Sequence, residues 1–181
     1  MRVHVLTVVT AAALCLAAQA RADMPKSEVD FIASINEART IYEAQETPAK
    51  KTALVKEMIK RWKSILPDGI IQGWTGKIVE LGTNYELGNT DKLRANAGKV
   101  HLAIRIADRV NLMTWRNAIL DLGHGTLISP KSPLYAVLSG LKPGDTVRFD
   151  GKYQSFVNLN ERAKLFDTDL IVAFSDIAPA S

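Results

Sequence analysis

The residues with the clearest capacity for chemistry are Asp121 and His124, which stand three apart in the sequence Asp-Leu-Gly-His-Gly. A carboxylate and an imidazole at this spacing can share a proton or a metal ion. Zinc sites usually need three or four protein ligands, and the neighbouring residues do not supply the others. The sequence also lacks a His-Glu-x-x-His segment, a Gly-x-Ser-x-Gly segment and a nucleotide-binding glycine loop. We therefore predict no catalytic residue, metal site or cofactor, and interpret this segment as a polar turn.

The first 22 residues have the pattern of a cleavable secretory signal peptide. A weakly positive start is followed by an apolar run over residues 5–18, which is too short to span a bilayer comfortably. Ala20 and Ala22 favour cleavage before Asp23, although Ala18 and Ala20 offer a second register. The alternative is an uncleaved N-terminal anchor. The only cysteine, Cys15, would leave with this segment, so we expect a mature chain without thiols. The pattern predicts a periplasmic or secreted protein.

The charge balance of the chain gives no strong indication of a partner. The 181 residues include 23 basic and 19 acidic side chains, with a formal net charge of +4. Loss of Arg2 and Arg21 with the signal peptide lowers that charge to +2. Such a small excess does not by itself favour nucleic acid. No later apolar run approaches the roughly 18 residues of a membrane helix, so we expect no transmembrane span in the mature chain.

The segment after the signal peptide has the spacing of two helices. Apolar residues recur every three or four positions after Ser27, which together with Asp30 resembles a capping box. Thr47-Pro48 is typical of the start of a second helix, because threonine caps well and proline is tolerated at the first helical position. Pro67-Asp68-Gly69 is expected to end that helix.

Beyond the helical segment the periodicity shortens to two, which indicates β-strands. Gly73 and Gly76 in the first strand predict a bulge or a tight bend. Ser132-Pro133 is typical of the start of a short helix, predicted over 134–141, whereas residues 158–164 are interpreted as a loop. The predicted strands cover residues 70–81, 100–106, 110–115, 146–153 and 170–177.

Five strands with a helix between the third and the fourth follow the order of an OB-fold, a partly open Greek-key barrel. The segments concerned are Gly73-Trp74-Thr75-Gly76-Lys77-Ile78 in the first strand and Leu141-Lys142-Pro143-Gly144-Asp145 leading to Val147-Arg148-Phe149-Asp150-Gly151 in the fourth. On these segments, residues 70–177 resemble OB-like modules of exported bacterial proteins, which are distantly similar to tRNA-anticodon-binding OB domains.

The resemblance implies a mainly β, α+β fold in which a five-stranded OB-like barrel occupies residues 70–181. An N-terminal helical hairpin over residues 23–69 would close one end of the barrel or cover an edge that otherwise invites pairing. A generic β-barrel with packed helices is the alternative architecture. Trp74, flanked closely by glycines in the first strand, is expected in the core.

The resemblance also implies a binding surface across strands two and three and the adjoining loops. Aromatic rings beside basic side chains in these regions can stack on bases, on sugars or against a protein. The predicted ligand-binding residues are Tyr85, Arg94, His101, Arg105, Trp115, Arg116, Tyr153, Phe156 and Arg162.

The sequence of the third strand allows two positions for Trp115. Successive side chains alternate between the two faces, so Val110 and Leu112 share one face while Met113 and Trp115 share the other. If the first pair faces the barrel, Trp115 joins His101 on the binding surface. If the second pair faces inward, Trp115 belongs to the core.

These features favour a non-enzymatic binding module of the cell envelope that recognises a protein or an envelope polymer through its OB-type face. The alternative is a single-stranded nucleic-acid-binding protein of an uptake or transfer system, which needs a clustered basic stripe. A hydrolase built on the barrel is a third class, but neither the paired acids nor the His-centred site that it needs is evident in the sequence. Binding that weakens steeply with salt would favour nucleic acid, whereas an exposed apolar patch would favour a protein partner.

Overall fold

The computed structural model describes residues 24–83, 98–157 and 160–180. Its helices and strands are α1 Lys26–Ala44, α2 Pro48–Ile65, β1 Ile70–Thr83, β2 Val100–Ala107, β3 Val110–Met113, α3 Pro133–Leu138, β4 Thr146–Phe156, α4 Glu161–Phe166 and β5 Thr168–Pro179. A short 3-10 helix, Pro67–Gly69, joins α2 to β1. Within the described ranges, no helix is long and apolar enough to cross a membrane.

The five strands form a closed barrel in the order β1-β2-β3-β5-β4. Neighbouring strands are antiparallel except β3 and β5, which run parallel. The register between β1 and β4 shifts between Ile71 and Trp74, where Gly73 adopts a φ of 65°, so the predicted bulge is confirmed. This strand order, with α3 between β3 and β4, confirms the predicted five-stranded OB-like barrel with helices at its N-terminus.

The second glycine of β1 permits close contact between β1 and β2. A Cβ atom added to Gly76 would lie 2.5 Å from Cγ2 of Ile104 and 2.8 Å from the carbonyl oxygen of Arg105. Neither neighbour leaves room for a methyl group, because Ile104 is fully buried and Arg105 contributes its backbone. The absence of a side chain at this position therefore allows the two strands to pack at their observed separation.

The helical hairpin packs on the barrel through a cluster of buried aromatic rings. The Phe31 ring centroid lies 4.5 Å from that of Trp62 and 5.2 Å from that of Trp74. The indole N–H groups of Trp62 and Trp74 donate to the hydroxyls of Ser34 and Ser27, at 2.8 and 3.0 Å. All three rings are buried in the main core, as expected for Trp74. The helices and the barrel therefore share one core.

The two helix starts differ from one another. Thr47 caps α2 with its side chain, as predicted. The predicted capping box of α1 is wrong: α1 begins after Pro25, which forms no side-chain cap hydrogen bond. Ser27 lies inside the first turn and accepts the indole N–H of Trp74, while Asp30 pairs with Lys26. The hydroxyl is used by a tertiary contact because a buried indole N–H needs an acceptor.

The prediction of a loop over residues 158–164 is wrong in part, because α4 begins at Glu161. The side chain of Asn160 accepts the backbone N–H groups of Arg162 and Ala163 and so caps this short helix. Leu165 is the buried residue of α4. A helix with a single fully buried position has no apolar periodicity to read, which explains the error.

Candidate binding surface

Packing around β3 settles which of its faces lies inside the barrel. Val110 and Leu112 belong to the main core, whereas Met113 packs with Ala103 and Ile171 in a second cluster, against which Trp115 also packs. Ala103 and Ile171 alternate with inward-facing neighbours, so this outer cluster of Ala103, Met113 and Ile171 lies on the outside of the barrel. Trp115 is therefore on the outer face and not in the barrel interior.

Glu80 brings together two of the predicted binding residues. Its carboxylate Oε1 lies 3.2 Å from His101 Nε2, and its Oε2 lies 2.9 Å from a guanidinium nitrogen of Arg116. The His101 ring occupies the space beside Gly82, where an added Cβ would lie 2.6 Å from Cε1. His101 and Arg116 thus share one acidic partner, and this carboxylate offsets the positive charge of Arg116.

Arg105 belongs to a second polar group that crosses three strands. Its Nε donates to Oδ1 of Asn111 at 3.1 Å, and Nδ2 of Asn111 donates to Oδ1 of Asp169 at 2.8 Å. These residues come from β2, β3 and β5 respectively. The arginine remains exposed to solvent. Its charge is again accompanied by a carboxylate, at the far end of the hydrogen-bonded chain.

A small hollow of about 80 Å³ opens next to the outer cluster. Arg116 and Asp169 contribute to its lining. The indole Nε1 of Trp115 is buried and has no hydrogen-bond partner in the structure described. Buried polar atoms without a partner are uncommon, so the indole N–H of Trp115 is a donor that lacks an acceptor. The apolar lining comprises Met113, Trp115, Leu120, Val157 and Ile171.

A buried carboxylate holds the loop over residues 117–125. Asp121 Oδ1 accepts the backbone N–H and the hydroxyl of Thr126 at 2.6 and 2.8 Å, and Oδ2 accepts the N–H of Leu127 at 3.3 Å. These three hydrogen bonds tie the Asp121 side chain to the two residues that follow the loop, so Asp121 fixes the loop conformation. The backbone N–H of His124 donates to the backbone carbonyl oxygen of Asp121. The His124 ring centroid lies 5.7 Å from that of Trp115. The segment is thus a turn with a structural aspartate, and no metal-binding group of three side chains occurs among the described residues.

The fixed loop exposes apolar side chains to solvent. Ile119 is 60% exposed, Leu120 48% and Leu122 43%, and the nearby Val157 is 36% exposed. They are four of the eight large hydrophobic side chains that are exposed in the described part of the chain. We call these four residues and Trp115 the apolar patch. None of the four was predicted as a binding residue from the sequence, although Ile119-Leu120 is an apolar pair in a segment without a strand or helix to bury it.

Three other predicted binding residues are Tyr85, Arg94 and Arg162. Tyr85 and Arg94 lie outside the described residues. Arg162 belongs to α4, where its guanidinium lies 4.8 Å from the centroid of the Phe166 ring. That contact stays within one short helix and does not involve β2 or β3.

Tyr153 and Phe156 belong to the junction between the hairpin and the barrel. Phe156 stacks on Trp62 with ring centroids 5.4 Å apart, and Tyr153 packs edge-on against Phe156. Tyr153 also lines a cleft of about 610 Å³ beside α2. Burial raises the pKa of Tyr153 to about 12, so its hydroxyl stays protonated at neutral pH. The predicted site is therefore divided between the outer face and this junction.

The side chain of Glu28 is a buried carboxyl group at the junction between the hairpin and the barrel. Glu28 is fully buried in α1, and its Oε2 accepts the backbone N–H of Thr75 in β1 at 3.1 Å. Its Oε1 has no hydrogen-bond partner in the described structure. Burial raises the pKa of Glu28 to about 7, and the hydrogen bonds from Thr75 limit the rise. This residue links the hairpin to the barrel and is not part of the apolar patch.

Comparison with protein-family models gave no match, and comparison with curated proteins gave none either. Arguments about function therefore depend on the chemistry of the surface, because a fold alone does not determine function.

Proposed function

We propose that this protein is an exported, non-enzymatic binding module that recognises a protein partner through the apolar patch and the adjoining outer face of β2 and β3. The observation that carries the proposal is a loop that exposes Ile119, Leu120 and Leu122 while Asp121 fixes its backbone. Apolar surface gains about 25 cal/mol per Å² when it leaves water, so this patch favours a covering partner. A loop that is already ordered loses little entropy on binding. The signal-like N-terminus supports export.

The charges beside the patch favour a protein over nucleic acid. Arg116 is paired with Glu80, and Arg105 connects to Asp169 through Asn111. Both of these described arginines are thus accompanied by a carboxylate that would repel a phosphate backbone. An apolar centre with mixed charges around it matches the anatomy of protein–protein interfaces.

The proposal is tested by photo-crosslinking in the cell from position 119, where a photoreactive analogue replaces the most exposed residue of the patch. The matched control carries the analogue at position 41, because Ile41 is an exposed isoleucine of α1. We expect a discrete protein adduct from position 119 that is absent from position 41.

Two outcomes would refute the proposed function. The same set of adducts from both positions would show non-specific contact. Absence of a protein adduct from a folded, exported variant would indicate a polymer or nucleic acid instead. Titration of the purified protein with single-stranded DNA at two salt concentrations would then distinguish these, because phosphate binding weakens steeply with salt.

A further inference from the structure

We propose that the partner of the apolar patch inserts one aliphatic side chain into the hollow beside Trp115, which serves as an anchor pocket. This inference rests on the proposed function and specifies how the partner is recognised. The occupant is a segment of a protein that presents leucine, isoleucine, valine or methionine at one position.

The size of the hollow selects the occupant. Pockets for free small molecules usually have volumes of about 300–1,000 Å³, so 80 Å³ is too small for such a ligand. An apolar cavity that admits a benzene ring measures roughly 150 Å³, which also disfavours an aromatic side chain. A single aliphatic side chain attached to a larger partner fits the remaining range.

The walls have the chemistry of an anchor pocket. Met113 and Ile171 form a buried floor, while Leu120 and Val157 are partly exposed and belong to the apolar patch. Binding energy at protein interfaces concentrates where an apolar anchor fills a pocket that surrounding contacts shield from water. Trp115, Leu120 and Val157 of the patch line the hollow together with the polar Thr114, Arg116 and Asp169, so an inserted side chain would be covered as the partner docks.

The unpaired indole N–H of Trp115 adds a requirement for a hydrogen-bond acceptor. Its indole N–H is a donor with no acceptor in the described structure, and leaving a buried donor unsatisfied is costly. A peptide segment that inserts a side chain also brings backbone carbonyl groups close to the pocket wall. This nitrogen is buried, so a carbonyl of the partner would accept from it only if the indole ring turned towards the hollow.

The test combines crosslinking from position 119 with substitutions that fill the hollow. In Val157→Phe a larger side chain occupies the opening of the hollow, whereas Val137→Phe makes the same change at an exposed valine of α3 that does not line it. We expect Val157→Phe to reduce the protein adduct at least 10-fold and Val137→Phe to leave it unchanged. Equal circular dichroism spectra and melting temperatures would show that both variants fold.

A synthetic peptide that covers the crosslinked segment then locates the anchor. We expect the peptide to contain an aliphatic residue whose replacement by serine lowers its affinity for the wild-type protein at least 10-fold. An adduct unaffected by Val157→Phe, or a peptide insensitive to every such replacement, would overturn the anchor while leaving the proposed function intact. Absence of a specific adduct from position 119 would refute both the anchor pocket and the proposed function.

Discussion

Glu28 should make the stability of the protein decrease as the pH rises through neutrality. Its pKa is about 7 in the folded protein against an ordinary value of 4.5, so the folded state binds more protons between these values. Under proton linkage, the free energy of unfolding falls with rising pH in this interval. One pKa unit corresponds to about 1.4 kcal/mol, so the expected loss is about 3 kcal/mol. The loss is absent below about pH 4.5 and complete above about pH 7.

Glu28→Gln isolates this effect, because the amide cannot ionise and its oxygen can still accept the N–H of Thr75. Near pH 5 the variant and the wild type should have similar free energies of unfolding. At pH 8 the variant should be more stable by about 3 kcal/mol. Urea denaturation at intervals between pH 5 and pH 8, followed by far-UV circular dichroism, measures both values.

The matched control is Asp30→Asn, which removes an exposed carboxylate from the same helix. Asp30 pairs with Lys26 at the surface, where such pairs contribute about 0–1 kcal/mol, so the pH dependence of this variant should follow that of the wild type. If Glu28→Gln also follows the wild type, then Glu28 keeps a normal pKa and the argument from burial is refuted.

Three further substitutions and one control substitution test other parts of the structure. Asp121→Ala should lower stability by about 2 kcal/mol and speed amide hydrogen exchange at Thr126 and Leu127; unchanged exchange would show that the carboxylate does not hold the loop. Gly76→Ala should lower the free energy of unfolding, measured by urea denaturation, by about 1–3 kcal/mol. Gly140→Ala, where the structure has room for a Cβ, should change this free energy by less than about 0.5 kcal/mol. Equal effects of the two substitutions would contradict the packing argument. Thr47→Ala should lower the free energy of unfolding by about 1 kcal/mol, and no change would mean that the cap contributes nothing.

The barrel could be predicted because local signals and the global fold agree. Alternation over β2, the glycines of β1 and the Ser132-Pro133 helix start each indicate the element that forms. The start of α1 could not be predicted in the same way. Ser27 has a residue type that suits a cap, but its hydroxyl accepts a bond from Trp74, which is 47 residues away in the chain. Local pattern does not contain such a tertiary contact.

The candidate site was predicted only in part, for a related reason. His101 and Arg105 were predicted on the binding surface, but the sequence did not show that Glu80 and Asp169 accompany these residues. Residue type suggested a binding role for Phe156, whereas its ring stacks on Trp62 at the junction with the hairpin. The sequence shows the same residue type whether an aromatic side chain lies in a core or on a binding surface, and only its packing in the structure distinguishes the two positions.

The closed barrel also explains why a loop is the proposed recognition element. Each strand of the described barrel pairs with a neighbour on both sides, so the barrel offers no wholly unpaired strand for strand addition. Side chains on the outer faces and loops must then supply the contacts. On the face of β2 and β3 the basic side chains are already accompanied by carboxylates, which leaves apolar burial as the main available source of affinity. The loop fixed by Asp121 places that apolar surface beside Trp115 without requiring any rearrangement of the barrel.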